Sequence, residues 1–303
     1  MSFLSQTPGR VPTVAVALMF TAGALVAGTS LFAKILGLPD GAAPGLNPFQ
    51  ISAGRFVFGL ATLLLFVGAV PKARPGFGGA KWQWHLMRVI CGWLGVTAMF
   101  AAVSRMPIAE ATAVSFISPL VTMTLAIPML GERIGPRKVI AAALAVAGAV
   151  LILRPGSDAF QLAGLLALAA AGFMGLEAIF IKRLADTEPA LRILIINNTI
   201  GACISLSVAS FVWIWPTGFQ WVFLVAIGSV MVSAQAFFMQ ALRRGDASFV
   251  MPAFYSVLIF AAAYDFAVFA VLPGWVAVAG SALIVSGALV LVVRSGRSAR
   301  RGF

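Results

Sequence analysis

Apolar runs of roughly 20 residues, the length that crosses a bilayer as a helix, recur along almost the whole chain. They predict ten spans, at about 13–35, 49–70, 86–105, 108–130, 137–153, 161–181, 190–214, 219–241, 247–272 and 274–293. The polar positions fall into short connections between them. The longest connections, 37–48 and 71–80, are rich in Pro and Gly. Too little chain remains for a separate soluble domain.

The pattern also repeats. Ala102 to Gly135 reads as a short turn, a long apolar helix and a Gly-Glu-Arg exit. The same shape returns in register from Ala241 to Gly274. Ala102 matches Ala241, Arg105 matches Arg244, Phe116 matches Tyr255 and Gly135 matches Gly274. The register continues through Val146 and Val285 to Gly148 and Gly287. An internal duplication organises the chain.

Lys and Arg positions set the orientation. With the N-terminus in the cytoplasm, the inner segments carry Arg10, then Lys72, Arg74, Lys81 and Arg88, then Arg133, Arg137 and Lys138. They continue with Lys182, Arg183 and Arg192, Arg243 and Arg244, and Arg294, Arg297, Arg300 and Arg301. The outer ends carry only Arg105 and Arg154, while Lys34 and Arg55 lie within or at the ends of spans. Five spans per half is an odd number, so the second half starts from the opposite face. The expected fold is an all-α polytopic membrane protein whose ten transmembrane helices form two inverted-topology five-helix repeats. The repeats cover 13–153 and 161–294. The expected location is the cell (inner) membrane, multi-pass, with both termini cytoplasmic. Inverted repeats of this kind are typical of secondary transporters, with a substrate site near the midplane between the halves.

Composition agrees. The chain is 61% hydrophobic and only 10% charged, with a mean hydropathy of +1.02. Soluble domains carry about 25% charged residues. The net charge of +12 has a topological use here, so nucleic acid is not an expected partner. Cys91 and Cys203 sit inside apolar runs, which points to neither a disulfide nor a metal site.

Several motifs resemble the drug/metabolite transporter superfamily in its ten-helix EamA-type branch, over nearly the whole length. They are Phe32-Ala33-Lys34, Arg55-Phe56, the run Met106 to Ala113, Ser118-Pro119-Leu120, Gly131 to Gly135, and Leu151 to Gly156. Lys182-Arg183-Leu184 with Thr187-Glu188, and Gln235, are most similar to the subgroup named for S-adenosylmethionine uptake. The second half departs from the pattern. Ala270-Val271 stands at the expected Gly-Glu exit, and its helix carries Asp265.

Charges inside a membrane are costly and mark functional candidates. Lys34 lies near the outer end of the first span, where it either snorkels or faces the site. Arg55 lies about two turns into the second, ~9 Å deep at 1.5 Å per residue, which favours the cavity or a buried ion pair. Asn197 and Asn198 stand at the matching depth of the seventh. Glu177 and Asp265 are the acids most deeply embedded in apolar sequence. Each either carries a coupling proton or is paired, Asp265 with Arg55 or Lys34, and Glu177 with a basic residue near the cytoplasmic end. Arg105 and Glu110 are expected to pair at the outer hairpin. Pro119 and Pro252 interrupt the fourth and ninth spans at comparable places, as in a transport path. Trp93, Phe100, Ser115, Phe116, Ser118, Gln235, Tyr255 and Tyr264 are candidate cavity residues, although packing explains any one of them. Small residues on the fifth and tenth spans (Ala141, Ala145, Ala149, Gly280, Gly287) suit a scaffold or a homodimer surface. His85 is expected at the interface.

No nucleotide-binding glycine loop, metal cluster or nucleophile–base pair is present, so no enzyme activity, cofactor or metal is expected. The leading expectation is a secondary transporter working by alternating access. Its substrate would be a small metabolite, an amino acid or a zwitterionic or anionic derivative. A drug or xenobiotic exporter of the same fold is the alternative. A channel, a polytopic membrane enzyme and a scaffold are the rivals from other classes.

Overall fold

The computed structural model describes residues 13–39, 41, 43–70, 74–130, 136–153, 162–185, 187–244 and 253–298. Its helices are α1 (Thr13–Gly37), α2 (Pro48–Ala69), α3 (Trp82–Val103), α4 (Ile108–Ser115), α5 (Ser118–Leu130) and α6 (Pro136–Leu153). The second half holds α7 (Leu162–Ala185), α8 (Ala190–Ala209), α9 (Gly218–Arg244), α10 (Ser256–Phe269) and α11 (Trp275–Ser298). Six of them are long and apolar enough to cross a membrane unaided: α1, α2, α3, α7, α8 and α9. The fourth predicted span is two helices, so α4 and α5 together count as one of ten.

Proline accounts for that break. Pro119 has no N–H to offer the Ser115 carbonyl, and α4 stops there. The chain tightens instead, with Phe116 N donating to Ala113 O at 3.1 Å and Ile117 N to Val114 O at 3.0 Å. Helix resumes at Ser118. The described part of the ninth span starts its long helix just after Tyr255, the position that matches Phe116. Pro252 lies outside the described residues.

Local chemistry sets other helix ends. Asn47 caps α2 by accepting from Phe49 N at 3.0 Å, with Pro48 following in the first turn. Ala270 ends α10 in the left-handed region at φ 54°, and Val271 N closes onto Asp265 O. That conformation costs an alanine about 1–2 kcal/mol. It occupies the place where the repeat pattern expected a glycine.

The third span begins earlier than its predicted start near 86. Helix α3 starts at Trp82 and draws His85 and Arg88 into the bundle. His85 was expected at the interface and is instead fully buried. Arg88 was counted among the inner-loop charges and is also buried.

The halves pack as inverted repeats. Helix α1 lies on α9, and their counterparts α7 and α3 lie on each other. Helix α1 also packs on α10, as α7 packs on α4 and α5. Three further pairs, α2 with α8, α4 with α10 and α6 with α11, each join a helix to its own counterpart. Glycine permits the α6–α11 contact. A Cβ on Gly148 would collide with Gly280 O, and one on Gly280 would lie 2.7 Å from Gly148 O. These small residues serve backbone contact within one chain, as close helix packing in a membrane requires.

Candidate functional site

Three charged side chains gather inside the bundle. Arg55 comes from α2, Arg88 from α3 and Glu177 from α7. The stack of Phe49 on Trp93, with ring centroids 5.9 Å apart, sets the register of antiparallel α2 and α3. Arg55 follows Phe49 by six positions and Arg88 precedes Trp93 by five. At 1.5 Å per residue both lie roughly 8–9 Å from that stack, on one level. Arg88 Nη2 stands 3.6 Å from Glu177 Oε1. Arg55 is near enough to act electrostatically on both. Its guanidinium also sits over the Phe56 ring, 4.7 Å from the centroid.

The carboxylate has a prepared seat. A Cβ on Gly92 would lie 2.8 Å from Glu177 Cδ and Oε1 and 3.0 Å from Oε2. Any other residue at position 92 would expel the carboxylate from α3. The arginines are less well served. Among the described residues, Arg55 Nε, Arg88 Nε and Arg88 Nη1 are buried with no acceptor. Trp93 Nε1, Thr97 Oγ1 and Thr112 Oγ1 are also buried and unpartnered.

Asp265 and Lys34 meet nearer the face at which α1 ends. Lys34 Nζ lies 2.7 Å from Asp265 Oδ1, and Asp265 Oδ2 accepts from Ala109 N at 3.1 Å in the first turn of α4. Lys34 also lies over Phe269, 4.4 Å from the centroid. Of the alternatives for Lys34, the structure shows the buried pair and not snorkelling. Tyr264 OH donates to Ala24 O at 3.3 Å, a second link between α10 and α1. Arg105 Nη1 donates to Ala101 O at 2.9 Å.

A second polar knot lies at the opposite face. Glu188, between α7 and α8, accepts from Lys81 N at 2.9 Å and meets His85 Nε2 at 3.0 Å and Arg192 at 3.7 Å. Burial alone would raise the Glu188 carboxyl. The Lys81 N–H, His85 and Arg192 together outweigh it and hold the group below its ordinary value.

The other predicted residues lie on or beside α3, α4, α5, α8, α9 and α10. Phe116 and Tyr255 meet, with centroids 5.0 Å apart, and Phe254 joins them edge-on. Ser115 Oγ donates to Thr112 O, within its own helix. Ser118 starts α5, half-buried, and its carbonyl accepts from Thr122. Pro119 lies in the first turn of that helix. Phe100 is a fully buried packing residue. Asn197 and Asn198 are buried on α8, where Asn198 donates to Leu194 O and its Oδ1 lies against Gly59 of α2. Gln235 is half-buried on α9. Cys91 and Cys203 are unbridged. Among the described residues no group of His, Cys, Asp and Glu could hold a metal ion.

The family model of EamA-like transporters matches this chain twice, at residues 13–154 and 161–293. The chain belongs to the EamA-like transporter family. Its relatives include an S-adenosylmethionine uptake transporter of Rickettsia prowazekii, 29% identical over 259 residues, or 84% of this chain and 85% of that one. A riboflavin transporter of Rhizobium johnstonii is 32% identical over 172 residues, 55% of this chain and 56% of its own. A pseudopaline exporter of Pseudomonas aeruginosa is 26% identical over 209 residues, 68% and 73% of the two chains. A solved crystal structure, 21% identical, covers 94% of this chain and 98% of its own with a TM-score of 0.62, and so shares the fold.

In this EamA-like chain, the expected basic partner of Glu177 from the cytoplasmic end is Arg88, while the nearness of Arg55 to that pair is not read from the sequence. Arg88 itself was not singled out, because basic residues near span ends usually orient the chain. Its signal was the tryptophan-rich stretch Trp82 to Trp84, which already belongs to the helix and starts it one turn earlier, so that Arg88 lies nearly two turns in. Glu188 was read only as part of a motif, because its partners His85 and Lys81 lie about a hundred positions away.

Proposed function

We propose that this EamA-like chain is a secondary transporter that moves a small metabolite bearing a carboxylate, by rocking one five-helix repeat against the other. One observation carries the reading: Arg88, from the first half, stands 3.6 Å from a single carboxylate, Glu177, from the second, and Arg55 is near enough to act electrostatically on both. A guanidinium binds carboxylates bidentately and keeps its charge when buried. In a low-dielectric interior the surplus positive charge acts strongly on an anionic group.

The repeats take the bounds 13–153 and 161–294, which the two family matches support. The protein sits in the cell's inner membrane with both termini cytoplasmic, which the distribution of Lys and Arg supports. Glu177 is the coupling acid of this reading, being one-fifth exposed and loosely held. Asp265 has both oxygens engaged and acts as a latch between halves.

The test is uptake and efflux of a metabolite panel in proteoliposomes, with and without a pH gradient. Saturable transport of carboxylate-bearing members is expected. Arg55→Lys should weaken it and Arg55→Gln weaken it further, while Glu177→Gln should abolish gradient dependence and spare exchange between equal pools. A folded Arg55→Gln protein with unchanged substrate affinity would remove Arg55 from the site.

A further inference from the structure

Resting on the carboxylate reading above, we propose that Glu177 is a resident counter-ion of a two-arginine anion site, and that the substrate carboxylate enters by displacing it. Among the described residues the cluster holds two cations and one anion. Each guanidinium has five N–H donors in a planar fork. Glu177 meets Arg88 at only 3.6 Å, beyond the usual charge-assisted hydrogen bond of about 2.7–2.9 Å. Three of the arginine nitrogens are buried with no acceptor. A buried charge left without partners is costly, so the site is built for more anionic oxygen than Glu177 supplies.

The exposures give the order of events. The Glu177 side chain is 20% exposed and that of Arg88 only 4%. Glu177 is therefore the more accessible member of the pair. Its contact with α3 is the Gly92 recess, which a carboxylate fits and which leaves the group free to swing out. Asp265, the other acid buried in a span, has a direct ion pair and a backbone N–H, so it is fixed where Glu177 is replaceable. An incoming carboxylate gains both forks. Glu177, released, either faces the accessible side or meets a positive group on the same substrate.

The test uses the full chain in lipid nanodiscs and two probes of one shape, phenylacetate and neutral phenylacetamide. Equilibrium binding is measured by calorimetry. The wild type should prefer phenylacetate. Glu177→Gln, which removes the competing charge, should bind phenylacetate about tenfold more tightly and phenylacetamide unchanged. Glu177→Asp, one methylene shorter and further from Arg88, should tighten it less, and serves if the glutamine variant does not fold. Arg88→Gln should erase the preference. If the wild type prefers phenylacetate but both Glu177 variants bind it equally or more weakly, counter-ion exchange is wrong while the carboxylate reading stands. If neither the wild type nor the variants prefer phenylacetate, both fail.

Discussion

Lys34 binds Asp265 at 2.7 Å, tying the end of α1 in one half to the end of α10 in the other. Arg183, at the end of α7, makes the corresponding contact at the opposite face. Its Nη2 donates to Met129 O of α5 at 2.6 Å, and its guanidinium lies over Trp84 as Lys34 lies over Phe269. The two latches differ in kind. Among the described residues, one is a buried charge pair and the other a cation on a neutral carbonyl.

Removing one member of a buried pair strands the other. Asp265→Asn should therefore lower stability by about 3–5 kcal/mol. The double variant Lys34→Met with Asp265→Leu, which removes both charges, should recover most of that loss. Thermal unfolding in detergent, followed through intrinsic tryptophan fluorescence, reads both. A double variant as unstable as Asp265→Asn would show that the two residues do not act as a pair.

Glu188 predicts an acid limit. Its carboxyl is held below the ordinary glutamate value of about 4.3. Between the two values the unfolded chain binds more protons than the folded one. The stability Glu188 adds is complete above the ordinary value and lost as pH falls through the lower one. Wild-type melting temperature should fall below about pH 4, and Glu188→Gln should flatten that decline. Parallel curves for the two proteins would leave Glu188 out of the acid response.

The α6–α11 contact has no room for side-chain atoms. Gly280→Leu should abolish folding, and Gly280→Ala should destabilise by about 1–3 kcal/mol through overpacking. Gly68 on α2 faces open space, so Gly68→Ala should be neutral or slightly stabilising. Yield of monodisperse protein and melting temperature check all three.

Tags at Ser2 and Phe303 should report the same side of the membrane, the cytoplasmic one, in a protease-protection assay. Opposite sides would contradict the even number of spans.

The fold was legible because bilayer length and Lys/Arg asymmetry are local signals, and because duplication writes the topology twice. The break in the fourth span was visible in Pro119. Its position one turn earlier was not, because the turn at Phe116 and Ile117 is set by which carbonyls remain to be bonded. The site was half legible. Arg55 and Glu177 stood out as charges in apolar runs, whereas Arg88 and His85 looked like span-end residues. Depth depends on where a helix begins, and a shift of one turn moved both inward. The Lys34–Asp265 pair was one of two offered for Asp265; sequence spacing cannot choose between cations on different helices.

Phe116 and Tyr255 occupy the same position of the two halves and touch each other. A residue away from the axis that relates the halves has a neighbour of different lineage, and the two copies of that contact can drift apart. These two are each other's neighbour, so the contact exists once. Volume added at one must be surrendered at the other, and the two sites are bound to vary as a pair.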